Sequence, residues 1–433
     1  MTMLLIYTHK ITPRFTYTMK QICTRILGLD ISFTTKVEDF IKHTGPKITY
    51  TKQPLQNEFF IRSNDLLFEQ GVNDFEVKIF EWEGIPCFFS AGERSNIPFD
   101  IFSASFYMLS RYEEYLPHVK DLHGRFPSRE SLAYQRKFLQ LPVVDIWAYK
   151  LLEALEEKFP ELERKSREYS YTSVIDVNTS HAFAHRGFVR TVSGLVYDLA
   201  SLKLGRVAER IKVWLYPKKD PYDNFSFLIQ LHKKNAIKSL YFFQMATYST
   251  YDKNVSPNSN SFRFLIKSIA DYSKVALAAS YSSFDSFDLL MKEKKRLSGV
   301  INRPIDTCRM RYNRTNLPDT YRTLIDAGFS DDYTMGYTHE PGFRAGTCTP
   351  FFFYDLNLEI QQPIRIHPFT FHDYAFIKEG TKEIIIKRID ALYQEVKKVN
   401  GHFVSIFSNE NLGSEHKVDW KELYSYVLKK YAN

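Results

Sequence analysis

The sequence predicts an α/β fold: a distorted barrel of parallel strands and helices over residues 170–433, preceded by a smaller α/β region over residues 1–165. Three observations carry this reading. After residue 170, short apolar runs of strand length alternate with helical runs, the arithmetic of a parallel β/α architecture. A charged stretch broken by Pro160, EEKFPELERKSREYS, separates this pattern from a different one before it. The chain has 433 residues, 44% apolar and 25% charged, an ordinary globular composition long enough for two cores.

Taken in order, MLLIY (3–7) reads as a first strand and Arg14–Leu27 as a helix. FEVKIFEW (75–82) alternates and reads as a strand, and IPFDIFSASFYMLSRYEEYLP (97–117) as a long aromatic helix. From Val144 the apolar positions Trp147, Leu151 and Leu155 repeat at helical spacing. Beyond the charged stretch, YTSVIDV, SLYFFQM, KVALAAS and GHFVSIF are strand candidates. Helical runs lie between them at 261–272, 284–297 and 319–329. A helical insertion is expected near 186–235, with a basic face (Arg206, Arg210, Lys212) that reads first as a solvated surface. In barrels of this kind chemistry sits where strands end, and Asp176, Ser280 and Ser408 fall at such ends.

The bulk numbers narrow the function. A formal charge of +8 suits acidic partners, but Lys and Arg are scattered with no recognition motif, so nucleic acid is not expected. Aromatic residues are abundant (Phe 36, Tyr 28, Trp 4), which reads as large aromatic cores. Cys23, Cys87, Cys308 and Cys348 lie far apart without a C-x-x-C, which suits a reducing compartment. No signal-peptide pattern opens the sequence and no run of 18 apolar residues occurs, so a cytoplasmic protein without a transmembrane segment is expected.

The stretch SVIDVNTSHAFAH (173–185) raises the chemical question. It places Asp176 at a strand end, ahead of His181 and His185 at the spacing of one helical turn, a pattern that invites a metal site.

Four longer stretches carry a resemblance. SVIDVNTSHAFAHRGFVR, YDKNVSPNSNSFRFLIKSIADYSKVALAASYSS, CRMRYNRTNLPDTYRTLIDAGFSDDYTMGYTHEPGFRAGTCTPFFFYDL and FVSIFSNENL occur in this order. Together they resemble polysaccharide deacetylases of the NodB-homology type (carbohydrate esterase 4-like). IYTHKITPRF and FDIFSASFYMLSRYEEYLP add a resemblance to the group common in Bacteroidetes, with an extra N-terminal domain. The resemblance implies a distorted NodB-type (β/α) barrel and removal of acetyl groups from N-acetylated sugars. That reaction uses a divalent cation held by one Asp and two His, a second Asp as base, an Arg that steadies the base and a late His as acid.

Transferred residue by residue, the resemblance puts Asp176 at the base position, Arg344 at the base-orienting position and Ser408 where the acid should be. The three metal-ligand positions hold Asn178, Ala278 and Arg311. Ser280, Tyr281, Tyr312, Asp332 and Tyr333 fall on substrate-binding positions. An amide can ligate a cation without charge, a methyl group cannot ligate, and a guanidinium repels. At about 4 Å and an effective dielectric of about 20, that repulsion costs on the order of 8 kcal/mol against a divalent ion. No cofactor is therefore expected, and zinc only if His181 and His185 supply relocated ligands. The expectation is a deacetylase-like protein of cell-surface carbohydrate metabolism that binds a glycan or glycan precursor and is catalytically inactive or strongly impaired. The alternative is an active deacetylase or hydrolase with relocated ligands or without metal. The same geometry predicts Arg311 or Arg344 within hydrogen-bonding reach of Asp176.

Overall fold

Leu4, Leu5, Ile6 and Tyr7 are all buried, so the strand they form is covered on both faces, the pattern of a parallel sheet. In the computed structural model, which describes residues 3–216, 220–413 and 418–432, this strand (β1, Leu4–Tyr7) is central. It lies between β2 (Ile31–Thr34) and β3 (Lys47–Thr51), with β4 (Phe59–Arg62) beyond, all parallel. The helix after β1 starts at Pro13, where Thr12 accepts a hydrogen bond from the Phe15 amide and Pro fills the first turn. It continues through Ile26 with wider, π-type turns.

Two expectations for this region change. Only the end of FEVKIFEW is strand: β5 (Phe80–Trp82) pairs antiparallel with β6 (Ile85–Cys87). Residues before it have no partner strand and are held through side chains, such as Phe75 against Tyr107 and Tyr112. The long aromatic helix is shorter than predicted, Ile101–Leu109. Asp100 caps its start by accepting from the Phe102 and Ser103 amides, and Arg111, at φ +55°, turns the chain at its end. All nine of its residues are buried, which is why its sequence shows no polar face.

The second region is a nine-stranded sheet. Its strands are β7 (Ser170–Val177), β8 (Ser239–Phe243), β9 (Lys274–Ala279), β10 (Thr307–Met310), β11 (Asp331–Asp332), β12 (Phe351–Asp355), β13 (Ile360–Ile366), β14 (Phe371–His372) and β15 (His402–Ser408). Their order is β12-β13-β11-β10-β9-β8-β7-β15-β14, parallel throughout except for the β12–β13 hairpin. Helices at Asn260–Ala270, Phe287–Ile301, Asp319–Asp326 and Lys382–Lys398 make the crossovers.

Among the described residues the strands of the predicted barrel form this row, with no strand pairing that closes it. β13 and β14 are consecutive in sequence yet lie towards opposite ends of the row. The chain from the end of β13 onward donates from Arg365, His367 and Phe369 to the Ser330, Asp332 and Met335 carbonyls on one side. From Thr370 it donates to the Val404 carbonyl of β15 on the other. One stretch of backbone thus ties both ends.

The insertion between β7 and β8 holds helices at Phe188–Ala200, Leu204–Leu215 and Phe225–Lys234. Residues 217–219 of the predicted insertion lie outside the described residues. The two regions of the chain share one continuous apolar core, in which Tyr17 and Phe106 of the first pack on Tyr354 of the second. The connecting stretch is pinned at Gly28 (φ +73°), where a Cβ would meet the Lys165 carbonyl at 1.9 Å, so only glycine fits. The Lys165 amide donates to the Gly28 carbonyl there.

Candidate functional site

Side chains alternate along β7, and the alternation sets the site. Ile175 and Val177 face the main core, while Val174 joins an internal cluster with Phe242, Ala276, Ala278, Val404 and Ile406. Asp176 shares the Val174 side, one residue pair above this cluster at the strand's C-terminal end. On β10, Cys308 and Met310 belong to the main core, so Arg309 between them points inward, opposite Ala278 in register. Asp176, Ala278 and Arg309 therefore meet by strand periodicity alone.

Arg309 is the cation that reaches Asp176. Its Nε lies 3.0 and 3.2 Å from the two carboxylate oxygens, and its Nη1 donates to the Tyr333 carbonyl at 2.9 Å. His372 Nε2 lies 3.3 Å from the same carboxylate, and its Nδ1 lies 2.6 Å from Asp373. Asp373 in turn accepts from the Ser408 amide and hydroxyl at 2.7 and 2.8 Å. A buried chain of groups thus runs Ser408–Asp373–His372–Asp176–Arg309. Burial works against ionisation of Asp176, but Arg309 and His372 outweigh it and hold the carboxyl down to about 2. Burial likewise opposes a charge on His372, yet the carboxylates of Asp373 and Asp176 raise its pKa.

Above this floor opens a cavity of about 380 Å³, in the size range of small-molecule pockets. Asn178, Ala278 and Glu410 line it with the Asp176 group, and Tyr251, Lys253, Arg311 and Tyr312 form its walls. The first region contributes His123 and Arg125. Arg125 donates to the Tyr312 carbonyl, which fixes that edge. Tyr251 stacks on Tyr281 with centroids 4.1 Å apart, and Tyr312 meets Tyr281 edge-on at 5.3 Å. The result is an aromatic wall with cations packed against it, Arg311 over Tyr312 and Arg314 over Tyr281.

Several expected residues stand elsewhere. Arg311 lies beyond the end of β10, in a turn followed by Tyr312 at φ +58°, and its guanidinium pairs with Asp252 at 2.8 Å. Arg344 is buried and pairs two-pronged with Glu114 of the first region, at 2.7 and 2.9 Å. The expected contact of Arg311 or Arg344 with Asp176 is therefore replaced by Arg309. Ser408 is fully buried and serves Asp373. Ser280 is tied to Glu293 and Ser283 under the cleft. Asp332 faces the outer layer, where Tyr321 and Thr334 donate to it and burial raises its pKa to about 6. Tyr333 stacks on His367 at 4.4 Å. Of the five expected substrate-binding side chains, Tyr312 lines the cleft and Tyr281 backs it.

His181 and His185 sit in irregular chain ahead of the helix that starts at Phe188, with His185 at φ +58°, so they do not share a helical face. Their rings are 4.9 Å apart beside a separate cavity that Asp223 also lines. Among the described residues, no three His, Cys, Asp or Glu side chains are grouped to hold a metal ion. The expected ligand positions in the cleft do not fit a divalent cation: Asn178 offers only an uncharged amide, Ala278 no ligating atom, and Arg311 a guanidinium.

The sequence alone does not single out Arg309 or Asp373, and it gives His372 only as a histidine that could reach the mouth of the barrel but reads first as a loop residue. Arg309 could have been found from the alternation of CRM, with an apolar residue on each side of the arginine. His372 and Asp373 carried no local signal, because FHDY reads as a loop and only the β13–β14 segment brings it to β15.

Residues 4–160 match the model of a family of unknown function, DUF7033. No curated protein matches the sequence. Among solved structures, similarity is found to a protein assigned as a polysaccharide deacetylase from Mycobacterium smegmatis, at 13% identity and a TM-score of 0.40, covering 62% of this chain and 87% of that one. A polysaccharide deacetylase from Bacillus cereus is similar at 10% identity and a TM-score of 0.29, over 61% and 86% of the two chains. A family 4 carbohydrate esterase from Streptomyces lividans in complex with acetate is similar at 10% and 0.27, over 61% and 86%. At this level the function rests on the residues.

Proposed function

We propose that the cleft above Asp176 binds a carbohydrate, a glycan or glycan precursor, on a deacetylase-like scaffold whose metal-dependent chemistry has been lost or strongly impaired. The observation that carries this reading is the lining of the cleft, where the three expected ligand positions hold Asn178, Ala278 and Arg311: an uncharged amide, a methyl group and a guanidinium. Asp176, at the base position, is steadied by Arg309 instead of by Arg344. The aromatic wall of Tyr251, Tyr281 and Tyr312 with polar groups around it suits a ring that is apolar on its faces and hydroxylated at its edge.

One contact favours a second reading, a metal-free hydrolase. His372 lies between two carboxylates with a raised pKa, so Asp176 and His372 form a base and an acid side by side. The ion pair with Arg309 and the contact with His372 hold the Asp176 carboxyl down, which weakens it as a base and weighs against this reading.

Acetate release from N-acetylated oligosaccharides, with and without added zinc, separates the two. The binding reading expects no release above that of Asp176→Asn. Release by the unmodified protein that Asp176→Asn abolishes would establish the hydrolase.

A further inference from the structure

The two helices Phe188–Ala200 and Leu204–Leu215 are turned inside out. In a helix packed on a globular core the apolar stripe faces inward. Here two of the three buried positions are polar: Asp198 and Arg210 pair at 2.7 Å, with the Arg210 guanidinium packed over Gly194, and Val213 is the one buried apolar residue of the two helices, against Phe183. Most apolar positions face out. On the first helix Val189, Val192, Val196 and Leu199 recur at spacings of three and four, all exposed, with Phe188 80% exposed ahead of them. On the second, Leu204, Ile211, Trp214 and Leu215 are exposed, and Leu202 in the turn between is 83% exposed. Two consecutive exposed stripes on one helical hairpin form an apolar surface far beyond the scattered residues of an ordinary exterior.

We propose that this hairpin, residues 188–216, docks flat on the surface of an anionic lipid bilayer. Neither helix is long enough to cross a membrane, and among the described residues no helix is long and apolar enough to do so. The charges complement an anionic surface. Lys203, Arg206 and Lys212 are exposed on the hairpin and outweigh its two acids, since Asp198 is paired with Arg210 at 2.7 Å and Arg206 at 3.9 Å and Glu209 is half-buried. Trp214, Tyr197 and Tyr216, all exposed, are the residue types that settle at the headgroup level. Exposed apolar stripes with flanking Lys and Arg are the composition of a helix lying in the membrane interface. A second copy of the chain fits less well, because a two-fold contact would bring the same three cations against themselves.

The test is flotation of the full chain with vesicles of phosphatidylcholine alone and of phosphatidylcholine with phosphatidylglycerol, followed by tryptophan emission. Trp147 and Trp420 are buried, Trp82 is half-buried under Lys150 and Trp214 is exposed, so a blue shift on binding that the Trp214→Ser change removes reports Trp214. We expect flotation and a blue shift with the anionic vesicles and little with the neutral ones. The exposed-residue variant Phe188→Ser, Trp214→Ser, Leu215→Ser is expected to keep the melting temperature and bind at least tenfold more weakly. Lys203→Gln and Lys212→Gln are expected to weaken binding roughly fivefold each. Failure of the unmodified chain to float with anionic vesicles overturns the proposal, as does equal flotation of the triple variant. A dimer in light scattering that the triple variant converts to monomer, without vesicle binding, would assign the face to a second copy instead.

Discussion

Arg309 Nε lies 3.0 and 3.2 Å from the two oxygens of Asp176, deep between β7 and β10. Removing one partner of such a buried pair leaves an uncompensated charge. Arg309→Met is therefore expected to destabilise the protein by about 3–5 kcal/mol, read as a fall in the urea midpoint. The double variant Arg309→Met, Asp176→Leu should recover most of that loss, because a matched apolar pair avoids the desolvation cost. If the single variant leaves the midpoint unchanged, the ion pair is not formed.

Glu293 sets a pH dependence. Burial raises its carboxyl to about 7, against hydrogen bonds from Ser280 that favour the anion. A carboxyl whose pKa is raised on folding holds its proton in the folded state while the unfolded chain has lost it. Stability is thus highest below the ordinary carboxyl pKa, falls as pH rises to about 7 and then levels. The variant Glu293→Gln removes this loss. Its advantage over the unmodified chain should be near zero at pH 4 and reach about 3 kcal/mol above pH 7, measured by chemical denaturation at the two pH values.

Arg344 joins the two regions of the chain through its two-pronged contact with Glu114, which also receives Arg111 at 2.8 Å. Arg344→Ala should cost about 3–5 kcal/mol for the same reason as Arg309→Met. Arg344→Lys should recover only part of this, since an ammonium cannot hold both carboxylate oxygens in plane. Equal stability of the lysine variant and the parent, by thermal melting, would show that geometry is not what the pair supplies.

The site was legible in the sequence to the extent that strand periodicity wrote it. Asp176 was found as a strand-end residue and Asn178 and Ala278 through the resemblance, and all three line the cleft, whereas the strand-end residues Ser280 and Ser408 do not. The strand candidates around them form β7, β8, β9 and β15. Arg309 stood in the same short run as Arg311, but the choice depends on where β10 stops, and strand ends are set by tertiary pairing. Arg344 was placed by resemblance, whereas its partner Glu114 lies in the other region, a contact that no local pattern encodes. The three short strands after Asp30 were missed because ISFT, KITYT and FFIR have too few residues to show a period. The hairpin was read as a helical insertion with a solvated basic face that included Arg210, which is buried, since periodicity reports a stripe and not which way it faces.

The aromatic wall carries a binding prediction. Tyr312→Ala removes a cleft-lining ring whose edge packs on Tyr281, and Tyr251→Ala removes its stacked partner. Each should weaken oligosaccharide binding by about 1 kcal/mol or more, roughly five- to tenfold in Kd. Tyr333→Ala, outside the cleft, should leave the Kd unchanged. Equal losses at all three positions in a glycan-binding titration would indicate a general folding defect.

Calorimetric titration of the chelator-treated protein with an N-acetylated oligosaccharide tests the central claim most directly. A cleft that binds sugar through Tyr251, Tyr312 and its polar rim, with Asp176 held by Arg309, should give the same Kd with EDTA or with added zinc, and no acetate should appear. Binding that disappears with EDTA and returns with zinc, accompanied by acetate release, would contradict it.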